Sequence, residues 1–212
     1  MGKKLTEEIG NFHCLLGRYL LGHDVEAPAL SPEAMDHLAV GTGATAWSTR
    51  DIQYLDPYSV NIMGRRWPTS TECTGFDDSI WVAWVDGKGV KRAWYCTHAT
   101  TRPGSPRKER IATLKPGFYR GVYKLGRHKG RYEALVPTEA LPVLRGERTE
   151  SKAWGLNFHR ASLDVAMPDD VGPWSEGCQV FRYPEDFFTF LAIVKGSMAI
   201  YGPRVSYNLV TA

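Results

Sequence analysis

Residues 79–96 read SIWVAWVDGKGVKRAWYC, and this stretch decides the fold class. Ser79 to Val85 is an apolar run rich in Trp, Val and Ile, short enough for a strand and bounded by turn residues. Asp86-Gly87 is a hairpin dipeptide, because glycine enters the left-handed backbone region without steric penalty. Val90 to Cys96 is then the expected return strand.

The same signals recur on both sides. Tyr58 to Met63 is one short candidate strand. Gly117 to Leu125 and Arg131 to Val136 flank Arg127-His-Lys-Gly130 as a second hairpin. Leu141 to Leu144, Leu156 to His159, Cys178 to Phe181 and Val205 to Val210 complete a β-rich set. One helix is expected at Pro184 to Val194: Pro184 opens it, Glu185 and Asp186 suit its N-terminus, and Phe187, Phe190, Leu191 and Val194 give it a core face. The first fifty residues read differently. From Leu5 to Leu21, apolar side chains recur at three and four, and Gly22 follows as a stop. A second short helix starts at Ser31, with Pro32 and Glu33 in its first turn, and ends at Gly41-Thr42-Gly43. The expectation is an α+β, mainly β chain: an N-terminal helical segment over 1–50 and a β domain over 51–212. Thr100 to Arg110 is the best mobile-loop candidate.

Composition narrows the function classes. A 43% hydrophobic content supplies a real core, and a net charge of +3 is too small to argue for nucleic acid. No stretch reaches the ~18 consecutive apolar residues of a membrane span, so no stable membrane insertion is expected. Met1 to Gly10 has two lysines but no apolar segment behind them, which predicts no secretory signal and synthesis into a cytoplasm. Cys14, Cys73, Cys96 and Cys178 are scattered, without a C-x-x-C pair, and read as reduced thiols. The seven Trp and the other aromatics fit a β-sandwich core better than a sugar groove.

One stretch carries chemistry: WGLNFHRASLDVAMPDDVGPWSEGCQVF, Trp154 to Phe181. Cys178 follows Ser175-Glu176-Gly177 at the end of a Pro/Gly-rich loop and opens an apolar run. Gly177 permits a sharp turn that leaves backbone amides for a substrate oxygen. A thiol needs a nearby base to attack near neutral pH, and His159 closes a candidate strand upstream. Two neighbouring strands would bring the pair together, and a thiolate paired with His159 would alkylate rapidly at neutral pH.

This stretch resembles the catalytic signature of the L,D-transpeptidase family, in which His-Gly, a loop and Ser-His-Gly-Cys follow in that order. FDDSIWV, LKPGFYRGVYKLGRHKGRYEAL, NFHRAS and WSEGCQVF, taken in order, are similar to a phage-borne, peptidoglycan-hydrolase-like branch of that family over about two thirds of the chain. The resemblance implies an L,D-transpeptidase-like β-sandwich. It implies Cys178 as nucleophile, His159 as base and the Gly177–Cys178 backbone as oxyanion hole, with bacterial peptidoglycan as partner and no metal or other cofactor. Arg160 and Glu176 are candidates for meeting substrate charges. Asn157 is a candidate for orienting His159. Ser175, Trp174, Tyr123 and His128 are candidates for the groove wall. The chain departs from the family at three places: Glu176 replaces the histidine two before the cysteine, Arg160 replaces the glycine after the base, and Gln179-Val180 replaces an aliphatic-Arg pair. Five charges in the Arg160–Glu176 loop imply a hydrated rim. Hydrolysis of stem peptides or cross-bridges is therefore expected ahead of transfer, in a phage endolysin held in the host cytoplasm until lysis. Cross-linking, and a catalytically silent wall-binding or virion module, stay open. A sortase-like reading fails on spacing. A zinc site from His13, Cys14 and His23, or from Cys96 and His98, fits no common tetrahedral set. The bond cut, the target wall and the oligomeric state are left open by the sequence.

Overall fold

The computed structural model describes residues 56–67, 75–104, 111–146, 149–163 and 170–211. The expected N-terminal helical segment, with Cys14, and Cys73 lie outside these residues. The expected hairpin forms, with β2 (Asp78–Val85) antiparallel to β3 (Lys91–Thr100), Ile80 opposite Cys96 and Trp84 opposite Arg92, but its left-handed residue is Gly89 (φ 78°) rather than Gly87. The Asp86 carboxylate fastens the turn, accepting hydrogen bonds from the Lys88 and Val90 amides and from Arg92 Nε.

The other described strands are β1 (Asn61–Arg66), β4 (Ala112–Leu114), β5 (Gly117–His128), β6 (Tyr132–Pro137), β7 (Leu141–Arg145), β8 (Thr149–Ala153), β9 (Phe158–Arg160), β10 (Gln179–Phe181) and β11 (Arg204–Thr211); helix α1 spans Pro184–Tyr201. The architecture is mainly β with one long described helix, in the expected α+β class. Its detail differs from a two-sheet sandwich. Eight strands close on themselves in the order β1-β11-β5-β6-β9-β10-β3-β2, and β4, β7 and β8 form a separate sheet. Closure depends on non-local pairings that no local pattern announces. β1 pairs parallel with β11 and antiparallel with β2. Three-residue β9 joins β6 through Leu135–Phe158 and runs parallel to β10. A closed sheet leaves no open edge to recruit another chain.

Several boundaries moved for local reasons. Tyr58 takes a positive φ of 70° in a turn, so β1 starts at Asn61 rather than Tyr58. The second hairpin turns at Lys129 and Gly130, φ 48° and 70°, which carries His128 into β5. Helix α1 continues to Tyr201, where Gly202 (φ 100°) stops it and donates its amide to the Met198 carbonyl. β4 and β8 were not foreseen, one being three residues long and the other a polar TESKA strand. The candidate mobile loop is anchored at its start, since Thr100 ends β3 and Thr101 is buried; residues 105–110 lie outside the described residues.

The aromatics form the core, as composition suggested. Phe158 is its hub: it meets Tyr123 edge-on at 5.0 Å and Tyr207 edge-on at 4.8 Å, and stacks on Phe190 of α1 at 5.3 Å. A buried polar network braces one side. Arg66 donates to Thr101 Oγ1, to the Thr101 carbonyl and to the Leu114 carbonyl. Asp78 accepts the Thr101 amide and hydroxyl and the Trp67 amide. Beyond Thr101 the chain passes so close to Gly172 that a Cβ on Gly104 would lie 2.2 Å from the Gly172 carbonyl oxygen, and the Gly104 amide donates to the Ser175 carbonyl at 3.0 Å.

Phe158→Ala should lower the free energy of unfolding by about 3–5 kcal/mol, the range for truncating a buried aromatic hub. Urea denaturation reads this, and a loss below about 1 kcal/mol would contradict the hub role.

Candidate active site

β9 carries two functions on three residues. Phe158 belongs to the aromatic core, and His159 follows on the alternate side. The parallel register sets Gln179 opposite Phe158 and Val180 opposite His159, and the Gln179 amide donates to the Asn157 carbonyl at 2.9 Å. Cys178, one residue before β10, is thereby delivered beside the Gly155–Asn157 segment. Parallel strands need a long connection, and the stretch between Arg160 and Cys178 supplies it.

Gly177 has φ 123°, and a Cβ there would lie 2.0 Å from the Ala112 carbonyl oxygen. Only glycine fits that corner. Ser175 locks the corner from within: its hydroxyl donates to the Cys178 carbonyl at 3.0 Å and accepts the Gly177 amide at 3.2 Å.

Cys178 and His159 line one cleft of ≈ 550 Å³, with His128, Lys129, Arg145, Trp154, Trp174 and Glu176 among its walls. A second cleft of ≈ 560 Å³ shares His128, Lys129, His159, Pro173 and Trp174, and adds Arg131, Tyr132, Arg160 and Leu163. His159 therefore stands between two openings. Its Nδ1 lies 2.8 Å from the Arg160 carbonyl. A carbonyl only accepts, so Nδ1 carries the proton and Nε2 the lone pair. Nε2 is buried and has no hydrogen-bond partner. The Tyr132 hydroxyl donates to the same Arg160 carbonyl and sits 3.4 Å from Nδ1.

The resting site is neutral. The Cys178 thiol donates to the Gly155 carbonyl at 3.1 Å. Burial pushes the thiol up to about 11, against the opposing pull of the Asn157 backbone amide and Lys129. Burial, then the neighbouring His128, pushes His159 down to about 3. Burial, then Lys129, Arg131 and Arg160, pushes His128 down to about 4. In place of the thiolate–imidazolium pair expected from the sequence, a thiol bonded to the Gly155 carbonyl and a neutral imidazole line the same cleft. The desolvation that would penalise either charge is the cause.

The remaining expected site residues divide. Trp174 and His128 line both clefts, Glu176 the first and Arg160 the second, where its guanidinium lies 4.2 Å over the Tyr132 ring. Tyr123 is corrected to a core residue: it is fully buried, and its hydroxyl donates to the Leu156 carbonyl. Ser175 is corrected from a groove residue to a buried support of the Gly177–Cys178 corner. Asn157 bonds His128 Nδ1 through Nδ2 at 3.2 Å rather than His159. Sequence reading missed Lys129, Tyr132, Arg145, Trp154 and the Gly155 carbonyl. The register of the second hairpin, which sets Tyr132 opposite His128, was the available signal for Tyr132; a backbone carbonyl gives none. Among the described residues, no group of three or more His, Cys, Asp and Glu side chains could hold a metal, and no helix is long and apolar enough to cross a membrane.

No family model matches this chain, and neither the curated proteins nor the solved structures yield a match.

Two outcomes follow from this geometry. His128 and His159 both have folded values below the ordinary 6.5, so the unfolded chain binds protons first as pH falls. Their contribution to stability is full above about 6.5 and is lost as pH falls towards about 4 and 3. Thermal melts should therefore show Tm falling below pH 6.5, with a shallower fall in His159→Gln; equal slopes would contradict the buried neutral pair. Gly177→Ala should lower Tm and abolish alkylation at Cys178 under conditions where the parent reacts. A variant matching the parent in both would show that the corner tolerates a side chain.

Proposed function

We propose that this chain is a cysteine-dependent peptidase of bacterial peptidoglycan, acting on stem peptides or cross-bridges through a thioester. The observation that carries the reading is His159 itself. Its Nδ1–H is fixed to the Arg160 carbonyl, and its unpartnered Nε2 is buried on the cleft that Cys178 also lines. The peptidoglycan assignment rests on the resemblance to L,D-transpeptidases, and on a rim where Lys129, Arg131 and Arg160 suit a substrate bearing carboxylates.

Rotation about the Cys178 Cα–Cβ bond turns the thiol from Gly155 towards His159. Nε2 takes the thiol proton as sulfur bonds to the peptide carbonyl carbon. The developing oxyanion is met by the backbone at Gly177–Cys178; with the Gly177 amide bonded to Ser175 Oγ, the Cys178 amide is the leading donor. The tetrahedral intermediate collapses, the C–N bond breaks, and the leaving amine takes the proton from His159. Water then attacks the thioester with Nε2 again as base, releasing a carboxylate and restoring the thiol. No step calls for a metal or an organic cofactor. The neutral resting pair fits this sequence, because the proton moves with the attack rather than before it.

The second cleft favours one competing reading. An acceptor amine can approach the thioester from that side, which would make the chain a transpeptidase that forms cross-links. Hydrolysis is preferred because the charged side chains of Glu176 on the first cleft and Arg160 on the second keep water at the site. The resemblance to a phage-borne branch of the family suggests a phage endolysin.

Cys178→Ala should reduce muropeptide cleavage by about a thousandfold or more while leaving Tm close to the parent. Cys96→Ser should retain activity. Mass spectrometry of products formed with excess acceptor peptide separates the readings: cleaved monomers support the peptidase, cross-linked dimers the transferase. Full activity in Cys178→Ala would sink the mechanism, and an inert parent would favour the silent wall-binding module.

A further inference from the structure

The tip of the β5–β6 hairpin brings two side chains to His159. The register sets His128 directly opposite Tyr132. Lys129 and Gly130, both at positive φ, close the turn, with the Arg131 amide donating to the His128 carbonyl at 2.9 Å. The His128 ring stacks on the His159 ring with centroids 3.9 Å apart and planes 28° off parallel. Asn157 Nδ2 lies 3.2 Å from His128 Nδ1, so the amide donates, Nδ1 accepts, and the ring's own proton sits on Nε2. His159 is thus held at one nitrogen by the Arg160 carbonyl and across its face by a second imidazole, and Nε2 alone is left for chemistry.

We propose that His128 is a positioning residue for the general base, fixing the plane of the His159 ring by face-to-face stacking and, once acid has charged His128 itself, opposing a second imidazolium against the first. The inference rests on His159 acting as the base. A phenyl ring would fill the same space, but it would not accept the Asn157 amide and could not carry charge. The groups around the pair are mostly cationic: Lys129 and Arg131 from the hairpin and Arg160 from β9 all oppose protonation, and Glu176, before β10, is the carboxylate on the first cleft. Tyr132 and Cys178 are neutral in the resting site. Burial and His128 are the two largest causes of the depressed His159 titration. His128 therefore works in two ways, by contact and by charge, and two substitutions separate them. His128→Phe keeps a flat ring and removes the charge. His128→Ala removes both.

The test uses the full chain labelled with ¹⁵N-histidine, so that the His159 titration is read by NMR, together with alkylation of Cys178 by iodoacetamide against pH. His128→Phe should raise the His159 midpoint while leaving alkylation at neutral pH within about twofold of the parent. His128→Ala should raise the midpoint and slow alkylation by about tenfold, since the base loses its alignment. A folded His128→Phe with an unmoved His159 midpoint overturns the proposal, as does a folded His128→Ala alkylated at the parent rate. Should His128→Ala not fold, His128→Phe alone decides. Neither readout needs a wall substrate. Muropeptide cleavage surviving in Cys178→Ala would defeat the peptidase reading and leave the His159 titration result standing.

Discussion

The short parallel pairing of β9 with β10 is the constraint on which the site depends. Two three-residue strands have little stability of their own, so their neighbours must hold them. Phe158, wedged among Tyr123, Tyr207 and Phe190, anchors β9 from the core side. Phe181, packed on Phe187 and Phe190, anchors β10. With both strands held, the backbone bond from Gln179 to Asn157 fixes the register, and a slip of one residue would turn His159 or Cys178 away from the cleft. The other described supports of Cys178, the Ser175 hydroxyl and the Gly104–Gly172 crossing, act on the loop that this pairing closes.

Burial then decides the electrostatics. The same core that aligns His159 withholds water from it, and a dry imidazole resists protonation while a dry thiol resists ionisation. The local cations add to this rather than offset it at the histidines, because Lys129, Arg131 and Arg160 face a base and not an acid. The cysteine is pulled the other way by Lys129, but less than burial pushes it. In the proposed reaction the proton would therefore move during attack rather than before it.

The sequence disclosed the parts whose causes are local. The Asp86-Gly87 turn, the alternating runs on either side, the proline-led helix and the glycine before Cys178 each declare a backbone conformation within a few residues. Closure of the eight strands was not legible, since β1 meets β11 and β6 meets β9 through partners that no short window contains, although the neighbouring of β9 and β10 was expected. The site showed the same division. Cys178 and His159 stood out by residue type and by order along the chain, whereas Tyr123 and Ser175, which read as groove residues, proved to face inward. Tyr132 and Lys129 passed unnoticed because a hairpin tip brings them to the site, and the Gly155 carbonyl because backbone atoms have no letter of their own.

The hydrogen bond from the Cys178 thiol to the Gly155 carbonyl has a consequence for the lifetime of the protein. Peroxide oxidises thiolates far faster than thiols, and the first product, a sulfenic acid, proceeds readily to forms that no common reductase restores. A thiol kept protonated, with its hydrogen lodged on a carbonyl, is slow to enter that ladder. At this position, storage without a reducing agent should therefore cost little thiol.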